Sequence, residues 1–265
     1  MTTLAIMGAG GRMGCALVRC VRAFDELKLA AAIEGSGHRA IGQDAGIVAG
    51  VDACGITVTD DVDGASSADV FIDFTFHDAV PGNAAFAAEH GRAIVIGTTG
   101  LSDDEAAHVR SAASKIPIVW APNMSLGINL LFTLVEKAAA ALGIEYDAEI
   151  VETHHRRKKD APSGTALELA RRVAKGRVQD LDEVACYGRE GLVGERPQGE
   201  IGIHALRVGD VVGEHTVTLG TESERIELIH RASSRDAFAV GALRAARWVA
   251  GRDPGMYDMT DVLGL

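Results

Sequence analysis

The chain has few cysteines, few aromatic residues and no excess of positive charge, and each shortage removes a class of function. The four cysteines, Cys15, Cys20, Cys54 and Cys186, form no CxxC pair and are scattered over 265 residues. They suit neither a disulfide framework nor a zinc cluster, and read as reduced thiols in a cytosolic protein. No metal site is expected. Aromatics make up 5% of the residues, and 26 Lys and Arg stand against 37 Asp and Glu, a net charge of −11. That balance argues against broad non-specific binding to nucleic acid or to anionic membranes. No apolar run approaches the ~18 residues of a membrane span. The opening MTTLAIMGAG has no basic start and no adequate apolar stretch, so no secretory signal is expected. Internal repeats and low-complexity linkers are absent too.

What is present is an ordinary globular composition, 47% apolar and 24% charged, with 31 glycines that follow no collagen-like period. The apolar share is enough for a sizeable core, and the length allows one large domain or two ordinary ones. The glycines point to tight turns and close backbone approaches.

Thr3–Met7 reads as a buried strand, Met13 to about Phe24 as a helix, and Leu27–Ile33 as a second strand. This is the size of a βαβ unit. Strands at Val70–Phe74, Ala93–Ile96 and Ile116–Trp120 then alternate with helices, one over Asp78–His90 with Pro81 in its first turn and one capped by Ser102 with Glu105. Such alternation predicts a Rossmann-type, doubly wound parallel sheet. After about Ser125 the pattern changes. A long helix, Ile128–Leu142, precedes strands at Ala148–Thr153, Ile201–Leu206, Glu214–Thr221 and Arg225–Ala232, with one helix at Gly164–Lys175 between them and a last helix over Asp236–Ala250. The expectation is an α/β chain of two domains, the second α+β with a mixed or antiparallel sheet.

The first strand runs into glycines at 8, 10, 11 and 14. The first permits a tight turn, and the second lets the backbone approach a pyrophosphate resting on the helix N-terminus. The last stands one place later than in GxGxxG, and a plain strand-to-helix turn is the alternative. Glu34 ends the next strand, where a carboxylate can accept hydrogen bonds from ribose hydroxyls or merely close a solvated strand end. Gly97-Thr98-Thr99-Gly100 and Ala121-Pro122-Asn123-Met124 also follow strands, where an open α/β sheet places its ligand crevice; ordinary turn chemistry is their alternative.

The densest segment runs from Glu152 to Ala166, ETHHRRKKDAPSGTA. Two histidines and four cations precede a helix start capped by Ser163 or by Thr165, the latter with Glu168 in a capping box. Histidine supplies a proton near neutral pH, lysine pairs with a carboxylate or delivers a proton, and bare N–H groups at a helix start favour anions. Within an acidic chain this reads as a pocket for a small, multiply negative ligand. A solvated basic face is the alternative. Arg235, at the start of the last helix, is either a further anion ligand or a solvated helix-end residue. Two rival functions remain: a non-catalytic NAD(H)-sensing regulator, which leaves the His/Lys segment unexplained, and an RNA- or DNA-binding module using Arg156–Lys159, which the net charge and the three Tyr and two Trp argue against.

The pattern E-x-H-H-x-x-K-x-D-x-P-S-G-T-A over 152–166 resembles the signature of the dihydrodipicolinate reductase family, with every fixed position present. GAGGRMG at 8–14, GTTG at 97–100, APNMS at 121–125 and HRASSR at 230–235 also match, in order. The resemblance implies a cytoplasmic oxidoreductase of lysine and diaminopimelate biosynthesis. Such an enzyme reduces 4-hydroxy-tetrahydrodipicolinate to tetrahydrodipicolinate with NADH or NADPH and is usually a homotetramer built through its substrate-domain sheets. It implies His154 as proton donor and acceptor and Lys158 as a proton donor. His155, Ser163, Gly164 and Thr165 would hold the substrate's carboxylates. The cofactor would lie on Gly8, Ala9, Gly10, Gly11, Arg12, Met13, Glu34, Gly97, Thr98, Thr99, Gly100, Ala121, Pro122, Asn123 and Met124. It also implies that the last helix returns to the nucleotide domain, giving residues 1–126 with 235–265, and 127–234. Several relatives carry a basic residue directly after the acidic one, suited to a 2′-phosphate. Here Gly35-Ser36-Gly37 follows Glu34, leaving Arg12, His38 and Arg39 as phosphate contacts, and strict NADPH dependence is not expected.

Overall fold

The computed structural model describes residues 1–265. Its first strand is β1 (Thr2–Met7), followed by α1 (Arg12–Cys20), β2 (Leu27–Ile33), α2 (Ala45–Val48), β3 (Val58–Thr59), β4 (Val70–Asp73), α3 (Val80–Glu89), β5 (Ala93–Ile96), α4 (Asp103–Ala112) and β6 (Pro117–Trp120). β4 and β5 are buried along their whole length, as strands covered on both faces must be. Pro81 lies in the first turn of α3, where its missing N–H costs nothing. Ser102 and Glu105 form the expected capping box at α4. The α1 helix is shorter than its apolar spacing suggests, tightening into a 3-10 turn over Val21–Ala23.

The chain continues through α5 (Leu126–Leu142), β7 (Asp147–His154), α6 (Gly164–Gly176), α7 (Leu181–Val184), β8 (Ala185–Cys186), β9 (Ile201–Arg207), β10 (Gly213–Gly220) and β11 (Arg225–Ala232). These strands form one sheet in the order β11-β10-β7-β9-β8. The β10 strand pairs antiparallel with β7 and β11, whereas β9 pairs parallel with β7 and β8, so the sheet is mixed. Ile150, Ile203, Val217 and Leu219 on one sheet face share a core with Ile128, Phe132 and Val135 of α5 and Leu169 and Val173 of α6. Residues Leu126–Glu145 are long and apolar enough to cross a membrane by length and composition alone, with a mean hydropathy of 1.4, more than the sequence reading allowed. Here α5 instead buries Ile128, Leu131, Phe132 and Val135, while its Glu136 pairs with Arg172 at 3.0 Å and Lys175 at 2.7 Å.

The last elements are α8 (Asp236–Val249), β12 (Gly255–Tyr257) and α9 (Met259–Leu263). They complete a seven-stranded sheet ordered β12-β6-β5-β4-β1-β2-β3, parallel throughout. A Cβ on Gly241 of α8 would stand 1.7 Å from the Met124 carbonyl oxygen, so only glycine lets α8 pack this close. Residues Met1–Leu126 with Arg235–Gly264 form one unit, and Gly127–Ser234 with Leu265 the other.

Candidate active site

In the first unit, β1 delivers the chain into a turn at Gly8, whose φ of +80° is a conformation that favours glycine. The N–H groups of Gly8 and Ala9 both donate to the Ile33 carbonyl at 2.9 Å, locking the turn to the end of β2. A Cβ on Gly14 would sit 2.2 Å from the Gly8 oxygen, so this glycine lets α1 approach the turn. Gly11, at the N-cap, supplies no side chain, which leaves the first-turn N–H groups of α1 for a ligand. The Glu34 carboxylate accepts from Gly10 N–H at 2.8 Å through Oε2 and from Gly35 N–H at 3.0 Å through Oε1. It is therefore held against the glycine turn with lone pairs to spare for hydroxyl donors.

Around this turn lies a cavity of about 1060 Å³, roomy enough for a dinucleotide by the usual range of ligand pockets. Gly8, Gly10, Gly11, Arg12, Met13, Glu34, Gly97, Thr98 and Thr99 line it, as does His38 but not Arg39. Ala9, Gly100, Ala121, Pro122, Asn123 and Met124 are not among its lining residues. Ala9, Ala121 and Met124 are core, each 2% exposed or less, and Asn123 Oδ1 accepts from Ser125 N–H at 2.9 Å. A further wall comes from residues 74–79 and Asn83. Sequence reasoning passed over that wall, although Phe74 directly follows β4 and the carboxyl ends of strands are where such sheets bind ligands. His77 in this wall bonds Glu105 at 2.9 Å, which holds the imidazole pKa above its usual value. Arg235 occupies the N-cap position of α8.

In the second unit, His154 ends β7, and Ser163 begins α6 as its N-cap, accepting from Ala166 N–H at 3.2 Å; the Thr165 alternative is not taken. Both are tied to Glu152, which is fully buried. Its Oε2 meets His154 Nδ1 at 2.5 Å, and its Oε1 accepts from Ser163 N–H at 3.0 Å. Arg207 donates to both oxygens, at 2.8 and 2.9 Å, in a bidentate pair. Burial works to raise the Glu152 carboxyl, but His154, Arg207 and the Ser163 N–H overcome it and hold it at about 2. A carboxylate accepts only, so Nδ1 of His154 carries its hydrogen toward Glu152 and Nε2 is the atom left to exchange a proton. A Cβ on Gly213 would lie 3.0 Å from that Nε2, so glycine keeps the approach open.

His215 packs edge-on to His154 with ring centroids 5.2 Å apart, and its Nε2 lies 3.3 Å from Ser163 Oγ. Burial, with His154 adding to it, pushes His215 down to about 3, so it stays neutral near pH 7. Lys158 Nζ pairs with Asp160 Oδ2 at 2.9 Å and is partly buried, whereas Lys159 is exposed. His155 and Thr165 are half-buried and Gly164 is exposed on the same segment. Glu152 stood inside the quoted motif without a role, and Arg207, His215 and Gly213 gave no local signal. The cluster combines a pinned imidazole, a lysine and a helix N-terminus, which together suit proton transfer to an anionic ligand.

Residues 2–124 match the model for the dihydrodipicolinate reductase N-terminus, and residues 127–263 that for its C-terminus. The chain is 53% identical to a 4-hydroxy-tetrahydrodipicolinate reductase of Anaeromyxobacter sp., covering 100% of this chain and 98% of that one. It is 52% identical to the protein of the same name from Alkalilimnicola ehrlichii, over 100% and 99%. A dipicolinate-bound dihydrodipicolinate reductase from Paenisporosarcina sp. superposes with a TM-score of 0.76 at 25% identity, covering 98% of each chain.

Proposed function

The chain belongs to the dihydrodipicolinate reductase family and is an NAD(P)H-dependent oxidoreductase of lysine and diaminopimelate biosynthesis, and on that premise we propose the part each residue plays in reducing 4-hydroxy-tetrahydrodipicolinate to tetrahydrodipicolinate. The cofactor lies in the cavity beside the glycine turn, its pyrophosphate on the uncapped start of α1 and a ribose on the preset Glu34 carboxylate. Bound there, NAD(P)H supplies the hydride.

The chain's own task is to hold a dicarboxylate and move a proton. Glu152 and Arg207 fix the imidazole of His154 so that Nε2 passes the proton that accompanies reduction and the departure of water. Lys158, braced by Asp160, is the second proton source. His155, Ser163, Gly164 and Thr165 receive the substrate's carboxylates at the start of α6, where the helix dipole and N–H groups favour negative charge. The observation that carries this reading is the Glu152 carboxylate, which binds His154 and the start of α6 at once. The enzyme works in the cytoplasm as a homotetramer formed through the second unit's sheet. Supporting this, Ile229 on the β11 edge is 44% exposed and stands in register with Thr216, which in turn faces Val151.

The test is loss of NAD(P)H absorbance when the protein meets the freshly made condensation product of pyruvate and aspartate semialdehyde. Both cofactors should be consumed. A carboxylate at Glu34 suits a free 2′-hydroxyl and repels a 2′-phosphate, so NADH should serve at least as well as NADPH. The preference should be about fivefold in kcat/KM, since one missing exposed ion pair is worth roughly 1 kcal/mol at most. Glu34→Ala should shift it toward NADPH. No absorbance loss with either cofactor contradicts the reaction, and an NADPH preference of about tenfold or more contradicts the role of Glu34.

A further inference from the structure

The Asp73 carboxyl, at the end of β4, is completely buried, and its hydrogen-bond partners are all neutral. Its Oδ1 accepts from Thr75 N–H at 2.8 Å and from the Thr75 hydroxyl at 2.6 Å, and its Oδ2 accepts from Asn83 Nδ2 at 2.8 Å. Its main-chain oxygen accepts from Gly97 N–H at 3.0 Å, and the Thr98 hydroxyl donates to the Thr75 carbonyl at 3.0 Å. One residue thus ties together α3 and the loops after β4 and β5. Thr75, Asn83, Gly97 and Thr98 all line the cavity, while Asp73 itself does not.

The consequence falls on Asn83. An Asn amide presents a donor at one end and an acceptor at the other, and Asp73 takes the donor end. The Asn83 Oδ1 is left without a partner in the protein. We propose that Asp73 is a positioning residue for the nicotinamide cofactor: by fixing Asn83 Nδ2 it turns the Asn83 carbonyl oxygen toward the cavity as an acceptor for an N–H or O–H of the bound dinucleotide. The carboxamide, the ribose hydroxyls and the adenine amino group are the groups of that ligand able to donate. This rests on the reading that the cofactor occupies this cavity.

The test is a fluorescence titration with NADH, alongside the melting midpoint of the cofactor-free protein and the substrate's kcat and KM. In Asp73→Asn the new side-chain NH2 meets the Asn83 NH2, and Asn83 turns over to offer a donor where it offered an acceptor. The NADH dissociation constant should rise about tenfold, the size of one misdirected hydrogen bond. Turnover at saturating NADH should stay within about twofold, because the proton-moving cluster is untouched. Adding Asn83→Asp restores the donor–acceptor match with an oxygen still offered to the cavity, and affinity should recover to within about threefold. A purely structural role would show in the melting midpoint without this selective loss and recovery of NADH affinity.

Wild-type affinity in Asp73→Asn, or a double variant that binds no better than the single one, overturns the proposal. Should Asp73→Asn fail to fold, Asn83→Ala keeps the Thr75 bonds to Asp73 and must show the same loss; wild-type affinity there overturns it equally. Gly11→Asp separates the cavity reading from the Asn83 assignment. Its backbone, with φ −75° and ψ 171°, is one any residue adopts, a Cβ there standing 3.2 Å from the Gly8 oxygen, and its carboxylate would repel phosphates from the start of α1. NADH affinity that survives Gly11→Asp removes the cavity reading and the proposal with it. Affinity lost there but unchanged in Asp73→Asn removes the proposal alone.

Discussion

Glu152 determines what His154 can do. A histidine this close to a buried carboxylate cannot turn its ring over without forfeiting that hydrogen bond, and Arg207 prevents the carboxylate from swinging away. The same residue-level reasoning separates two adjacent lysines. The chain turns here, Lys158 N–H donating to the His155 carbonyl at 3.1 Å, and Lys158 is the partly buried lysine, held by Asp160, while Lys159 is exposed. Lys158→Ala should therefore lose turnover by on the order of 10²–10⁴, the usual worth of a positioned proton donor. Lys159→Ala should change stability and turnover by no more than about 0.5 kcal/mol, as surface changes usually do. Steady-state kinetics on both variants decide it, and the reverse ranking would mean that the motif's register is wrong by one.

At the scale of elements, apolar patterning carried far. Leu27–Ile33, Ala93–Ile96 and Arg225–Ala232 have the same bounds in the sequence reading and in the structure. The elements it passed over are short: α2 and α7 have four residues each, β3 and β8 two each, β12 three and α9 five, too few to display a period. The site was legible only where it is local. His154, Lys158 and Ser163 share one segment, but Arg207 reaches Glu152 from 55 residues away and His215 reaches Ser163 from 52. Those meetings depend on how β7 pairs with β9 and β10, a register that no local pattern encodes. The contact between α1 and the glycine turn is a second element-level feature, and Gly14 tests it. A Cβ there would lie 2.2 Å from the Gly8 oxygen and 2.5 Å from the Ala9 Cα, both backbone atoms that cannot step aside. Gly14→Ala should weaken NADH binding by about tenfold or more and destabilise the first unit by about 1–3 kcal/mol, the usual cost of overpacking. Titration with NADH and urea denaturation measure the two effects. Wild-type values in both would show that the helix has room to shift.

The whole molecule divides its labour, with the proposed cofactor residues in the first unit and the proposed proton-moving cluster in the second. Assembly belongs to the same scale. Ile229→Glu places a charge on the open sheet face where subunits would meet, so light scattering should register a mass below that of four chains. A mass unchanged from a four-chain wild type would move the interface elsewhere. The division of labour has its most direct test in His154→Ala, with NADH affinity measured by titration and turnover by absorbance on the same preparation. Turnover should fall by on the order of 10²–10⁴ while the dissociation constant for NADH stays within about twofold, because the cavity lining includes no residue of the second unit. Near-normal turnover in the variant, or a loss of NADH affinity equal to the loss of rate, would contradict the account.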